Sequence, residues 1–224
     1  MAHMYPTHVK SQHINMPIAN SPAFTSHPVL YLQHLLTPYK PRDHAALARA
    51  AWFANEGMGY NKEQSTRPQT LAYGLADSPV GLLAWILEKL HEWTDDYPWT
   101  DEEICTWVSI YQFSTAGVAA NLRIYYEATH AGTGGMDREK ISQYAPNVLL
   151  GVAHFPKELR GAPKSWIGTL GPVVYQSVYE KGGHFAAWER PDAIVKDVRA
   201  MWGKDGPAFG CVGGRTGYSR EGKL

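Results

Sequence analysis

Two short apolar runs near the carboxyl end, Val148–Ala153 and Val173–Val178, constrain this chain more than any other feature. The first, Val148-Leu149-Leu150-Gly151-Val152-Ala153, has no polar residue and reads as a strand buried on both faces. The second runs on into Tyr179 and is rich in β-branched and aromatic residues. After it comes the amphipathic segment Pro191–Trp202, with proline in its first turn and Gly203 at its stop. Strands alternating with helices predict a parallel sheet, and so an α/β fold. In such sheets the loops past the carboxyl ends of the strands are where ligands bind.

The remainder of the chain supplies one more strand and a helical block. Residues 7–16 alternate apolar and polar side chains well enough for a short strand. A Pro-rich passage follows, broken by an apolar helix near Val29–Leu36. From Asp43 to about Tyr126 the pattern is helical. Asp43 is placed to cap a helix over residues 45–55 that ends at Gly57, and a shorter helix is expected near 68–75. Ser78 caps the next, and Thr100 with Glu103 forms a capping box for another. A last helix carries Val118, Leu122, Tyr125 and Tyr126. The expected order is therefore a first core strand and loop (5–26), a helical cap inserted over the strand ends (27–135), carboxyl-terminal core strands and helices (136–203) and a mobile tail (204–224). Gly132-Thr133-Gly134-Gly135 lacks the Lys-Ser or Lys-Thr of a phosphate loop and reads as a connector.

Composition narrows the function. The formal net charge is zero and no basic run stands out, which argues against nucleic acid and anionic membrane surfaces. No apolar stretch reaches the ~18 residues of a membrane span. The start, Met1-Ala2-His3-Met4-Tyr5-Pro6, lacks the charged and apolar regions of a signal peptide, and its paired methionines suggest an expression scar or a displaced start. Cys105 and Cys211 alone imply no disulfide framework, so a reducing, cytoplasmic setting is the simpler expectation. The ten histidines show no metal-ligand spacing, so neither a metal site nor a cofactor is expected.

Glu158 and His184 stand at corresponding places, each just after a strand of the expected sheet. Parallel neighbours would bring the two loops together, and a carboxylate accepting from imidazole Nδ1–H makes a general base with its orienter. Taken singly, His184 reads more readily as a loop filler, and Glu158 at least as readily as an exposed carboxylate favouring a helix dipole. Tyr60 and Tyr125 lie in the helical block, where a phenol can donate to an oxygen that gains negative charge, or simply pack. Trp85, with Trp93, Trp99 and Trp107, belongs to an aromatic stripe that builds a core or walls an apolar pocket. No Gly-x-Ser-x-Gly or Gly-x-Asp-x-Gly nucleophile turn occurs anywhere in the chain.

Five runs share a pattern: Tyr60-Asn61-Lys62-Glu63-Gln64-Ser65-Thr66-Arg67-Pro68, Asp77-Ser78-Pro79-Val80-Gly81-Leu82-Leu83-Ala84-Trp85-Ile86, Phe155-Pro156-Lys157-Glu158, Pro163-Lys164-Ser165-Trp166 and Gly182-Gly183-His184-Phe185-Ala186-Ala187-Trp188-Glu189-Arg190-Pro191. In these runs, and in their order, the chain resembles the fungal, microsomal-type epoxide hydrolases of the α/β-hydrolase fold. The resemblance implies a partial α/β-hydrolase parallel sheet with a large all-helical cap. It implies His184 as the water-activating base, Glu158 as the orienting acid, and Tyr60 and Tyr125 as the cap phenols that bind and protonate the epoxide oxygen. Trp85 and Phe185 are then expected at the substrate. The family's nucleophilic aspartate has no counterpart, so the chain reads as the cap and carboxyl-terminal half, inactive by itself. The expected partners are a small apolar epoxide and a second chain or dimer mate covering the open edge of the sheet. Two other readings stay open: a non-catalytic apolar-ligand or interaction module descended from a hydrolase, and a His184–Glu158 base acting on reactive esters.

Overall fold

The computed structural model describes residues 1–130, 142–215 and 218. The Gly132–Gly135 connector lies outside the described residues. The chain forms two compact units, Met1–Ala50 with Ile141–Leu224, and Ala51–Lys140.

The first unit holds three parallel strands in the order β1 (Ser11–Ile14), β2 (Leu149–His154), β3 (Val173–Val178). Strand β2 is central, and Leu150, Val152 and Ala153 are fully buried. Burying each of the larger two contributes about 1.5–3 kcal/mol. Leu150 and Val152 pack with Ala162, Ile167 and Leu170, the last three around a 3₁₀ helix, Lys164–Thr169. Strand β1 is shorter than the ten-residue alternation suggested, because residues 1–9 fold into turns. Helix α1 (Pro28–Leu36) lies against the 3₁₀ helix, where Leu30 approaches Gly168. It is therefore part of the sheet-bearing unit, and the boundary expected at residue 27 falls instead at Ala50.

Gly151 at the centre of β2 is required by space. A Cβ there would stand 2.5 Å from Met201 Sδ and 2.8 Å from His13 Cδ2. Met201 belongs to the last helix, Pro191–Trp202, which presses Ala193, Asp197 and Met201 inward. The first residues of the tail expected to be mobile fold back on that helix: Ala208 is buried and its N–H donates to Met201 O at 2.9 Å.

The second unit is all-helical among its described residues. Helix α2 (Pro41–Trp52) starts four residues earlier than expected, at proline. Asp43 serves it from within the first turn, accepting from Lys40 N at 2.8 Å. Its last two residues enter the second unit and pass into a π-helical turn, Phe53–Gly57. Then come α3 (Gly59–Thr66), α4 (Pro68–Asp77), α5 (Pro79–Glu92), α6 (Asp101–Gln112) and α7 (Ala119–His130). The caps expected at Ser78 and Thr100 form. Ser78 Oγ accepts from Gly81 N at 3.0 Å, and Thr100 and Glu103 make the reciprocal capping box. Leu82, Leu122, Ala72, Leu75 and Val118 are the core these helices share.

Candidate active site

Two loops leave the carboxyl ends of β2 and β3, and one extra backbone rung ties them together. Lys157 pairs with Gly183 in a parallel bridge, and Lys157 N–H donates to Gly182 O at 3.2 Å. The next residue on either side of that rung is Glu158 or His184. The rung needs Gly182, whose φ is +115° and where a Cβ would meet Phe155 Cδ1 at 2.6 Å. Gly183 N–H is held in turn by Glu189 Oε1 at 3.1 Å, from a short helix, Ala186–Glu189.

His184 Nδ1 lies 2.7 Å from Glu158 Oε1. Against an ionised carboxylate Nδ1 carries the proton, which leaves the ring's lone pair on Nε2. The same Oε1 accepts from Leu159 N–H at 2.7 Å, and Oε2 accepts from Asn15 Nδ2 at 3.1 Å. Asn15 Nδ2 also reaches His184 O at 3.4 Å. The Glu158 side chain is 1% exposed and that of His184 24%. A buried carboxylate survives only with such a set of donors, so Glu158 is not an exposed helix-start charge. The ring of Phe185 stands beside His184, 5.3 Å between centroids. A cavity of about 130 Å³ opens next to this group, lined by Asn15, Phe155, Glu158 and Tyr179 and, further on, by His154 and Lys164. Burial lowers the pKa of His154, only partly offset by its bond to Gln176.

A second polar centre supports the first. Asp197 is fully buried and accepts from Tyr175 OH at 2.9 Å, Tyr179 OH at 2.5 Å and Ser177 Oγ, with His13 Nε2 3.3 Å away. Burial, then the bond to Asp197, pushes the phenols of Tyr175 and Tyr179 up to about 12. Burial lowers the pKa of His13 despite Asp197. Tyr179 stacks on Phe155, 5.0 Å between centroids and 14° between planes, and Phe155 bears on Gly182. The anchored phenol thus braces the loop that carries His184.

In the helical unit the rings of Tyr60 and Tyr125 meet edge to face, 5.7 Å between centroids. Tyr126 turns elsewhere and stacks on His130 at 4.0 Å, so Tyr125 is the phenol partnered with Tyr60. Tyr60 also packs on Trp93 at 5.1 Å. Lys89 Nζ sits 4.3 Å above the Trp85 ring and 5.6 Å from that of Tyr60. Trp85 otherwise packs on the Leu82 core. Burial, then Tyr125, raises the pKa of Tyr111. Among the described residues no three His, Cys, Asp or Glu side chains converge as a metal site, and no single helix is long and apolar enough to cross a membrane.

No family model matches the chain. It is 33% identical over 205 residues to a putative epoxide hydrolase of Stigmatella aurantiaca, covering 89% of this chain and 42% of that protein. It is 30% identical over 221 residues to epoxide hydrolase 1 of Sus scrofa, covering 91% of this chain and 47% of the relative. The Aspergillus niger epoxide hydrolase structure matches 85% of the chain at 32% identity, with a TM-score of 0.68 over 45% of its own length. The chain is a relative of the epoxide hydrolases. Juvenile hormone epoxide hydrolase of Bombyx mori matches it likewise, with a TM-score of 0.72 at 30% identity over 88% of this chain and 49% of that one. The fold is a partial α/β-hydrolase parallel sheet accompanied by a large helical insertion. The chain spans about half the length of the curated relatives it matches. Those relatives come from organisms as different as a pig, a silkworm and Aspergillus niger, so the likeness extends to epoxide hydrolases across distant organisms.

The structure brings His184 and Glu158 together in one unit, and Tyr60 and Tyr125 together in the other. Sequence reasoning missed Asn15 and Asp197. Asn15 had one faint signal: it is the first polar residue past β1 and so shares the strand-end edge with Glu158 and His184. Asp197 had a clearer one: Tyr175, Ser177 and Tyr179 recur at the two-residue period that places three hydroxyls on one face.

Proposed function

We propose that this chain provides the hydrolytic half of an epoxide hydrolase site, converting a small apolar epoxide to a vicinal diol through an alkyl ester. The observation that carries the reading is the 2.7 Å contact between His184 Nδ1 and buried Glu158, in a chain whose relatives bear that enzyme's name. In the first step a carboxylate attacks an epoxide carbon. The carbon–oxygen bond breaks, and the oxygen takes a proton from Tyr60 or Tyr125. In the second, His184 Nε2 removes a proton from water, and the hydroxide adds to the ester carbonyl. The tetrahedral intermediate collapses, the leaving oxygen takes the imidazolium's proton to complete the diol, and the carboxyl group gives its proton back to the phenolate, which restores both carboxylate and phenol. Glu158 stabilises that imidazolium while it lasts. Trp85 and Phe185 are assigned to the apolar wall around the substrate.

The attacking carboxylate is assigned to polypeptide beyond this sequence, since the chain has no Gly-x-Asp-x-Gly turn and matches under half of each curated relative above. Helix α1 supports a covering partner: Val29, Leu32, Leu35 and Leu36 are 51–82% exposed. The isolated chain is therefore expected to release no diol from styrene oxide. Diol formation that disappears on His184→Ala would overturn the inactive-alone assignment.

A further inference from the structure

We infer that Asn15 is the positioning residue of the His184–Glu158 pair, an inference that rests on the reading of that pair as base and orienter. The amide stands one residue past β1, at the same edge of the sheet as the loops after β2 and β3. Its Nδ2 makes two contacts there, to Glu158 Oε2 at 3.1 Å and to the backbone oxygen of His184 at 3.4 Å. Both partners are acceptors only, so the amide is fixed with nitrogen inward, and the two N–H bonds point one to each loop.

The geometry explains why this single group matters. A glutamate carboxylate rotates about its last bond, and that torsion is broad and soft. Leu159 N–H and His184 both engage Oε1 and leave Oε2 to set the plane. Among the described residues Asn15 is the hydrogen-bond donor to Oε2, and so fixes which lone pair of Oε1 faces the imidazole. Through the His184 carbonyl it also fixes the backbone from which the ring hangs. One side chain just past β1 thereby sets both ends of a hydrogen bond between residues of two other loops. Asn15 reaches no reacting atom in this account; it acts through Glu158 and His184.

The test uses the chain as it stands and reads the base pair directly. The His184 ring signals are assigned by ¹⁵N-labelled NMR through their loss in His184→Gln. The Nδ1–H proton held by Glu158 is then followed by its low-field shift and its exchange with solvent. In the unaltered chain that proton is expected to be visible, with nitrogen shifts of the Nδ1-protonated ring. Asn15→Leu keeps the volume and removes the donor, and is expected to speed exchange of that proton about tenfold or more, the size of a lost bond to a charged group. Asn15→Ser keeps a donor on a shorter arm and is expected to fall between. A residue that only filled space would leave the proton unchanged in Asn15→Leu. That result overturns the inference if the unaltered chain shows the signal. Absence of the signal from the unaltered chain would instead overturn the base-and-orienter reading beneath it. Should Asn15→Leu fail to fold, Asn15→Ser alone decides: exchange as slow as in the unaltered chain refutes the inference, and faster exchange with an unchanged melting temperature supports it.

Discussion

Replacing Gly151 by alanine tests how the last helix is seated on the sheet. The new Cβ would stand 2.5 Å from Met201 Sδ, 3.3 Å from Met201 Cε and 2.8 Å from His13 Cδ2. Ordinary carbon contacts lie at about 3.5–4.0 Å, so at least one neighbour must retreat by about 1 Å. Neither is free to do so cheaply. Met201 is fully buried, and His13 is tethered beside Asp197. Overpacking of this kind costs about 1–3 kcal/mol. With an m-value of about 2 kcal/mol/M, the urea midpoint falls by about 0.5–1.5 M with m unchanged. Gly74→Ala is the control, since nothing lies within 4 Å of that position in α4, and it is expected to stabilise by about 0.5–1 kcal/mol. Trimming Met201 to alanine in the Gly151→Ala background should recover at least about 1 kcal/mol of the summed single effects. A Gly151→Ala midpoint equal to the parent's, or no coupling to Met201, would refute this account of the packing.

The Asp197 centre predicts stability losses at both ends of the pH range. The folded-state pKa values of Tyr175 and Tyr179 are raised from 10 to about 12, so the stability they confer is whole below pH 10 and is lost as pH rises through 12. Melting temperature against pH should show that alkaline limb, and Tyr175→Phe with Tyr179→Phe should flatten it. His13 is lowered from 6.5, so the unfolded chain takes up its proton first, and stability should fall as pH drops below 6.5 until the folded-state pKa is passed. Replacing His13 by glutamine should remove that acid limb, and a melting curve unaltered by the change would count against a neutral buried imidazole. Thr100→Ala removes one arm of the α6 capping box and should cost about 1 kcal/mol by denaturant unfolding, with Ser78→Ala close to it at α5.

Local chemistry made much of this chain legible. The caps at Ser78 and Thr100 and the proline starts at Pro79 and Pro191 act within one turn, and each reads directly from neighbouring residues. The run 173–178 is a strand as expected, since its branched and aromatic residues suit a pleated surface. Contacts distant in the chain were harder. Asn15 and Glu158 are 143 residues apart, and nothing in either segment marks the other. Asp197 looks like one more polar residue of an amphipathic helix until strand β3 places its hydroxyls opposite. The early start of α2 at Pro41 was hidden because Asp43, which looks like its cap, works from inside the first turn. The partnership of His184 with Glu158 could be anticipated because parallel neighbours carry their loops to one edge. The rung at Lys157 and Gly183 that sets their spacing could not.

The central assignment, His184 as the base that hydrolyses the ester, is tested most directly by a single-turnover experiment. This chain is joined behind the preceding half of the Stigmatella aurantiaca relative, and one equivalent of styrene oxide is added. The joined protein should convert that equivalent fully to diol and keep no ester. With His184→Gln it should consume one equivalent, gain the mass of the epoxide as a covalent ester, and release diol ~10²–10⁴-fold more slowly. Diol release by the His184→Gln protein at the unaltered rate, or its loss with no ester formed, would contradict the assignment.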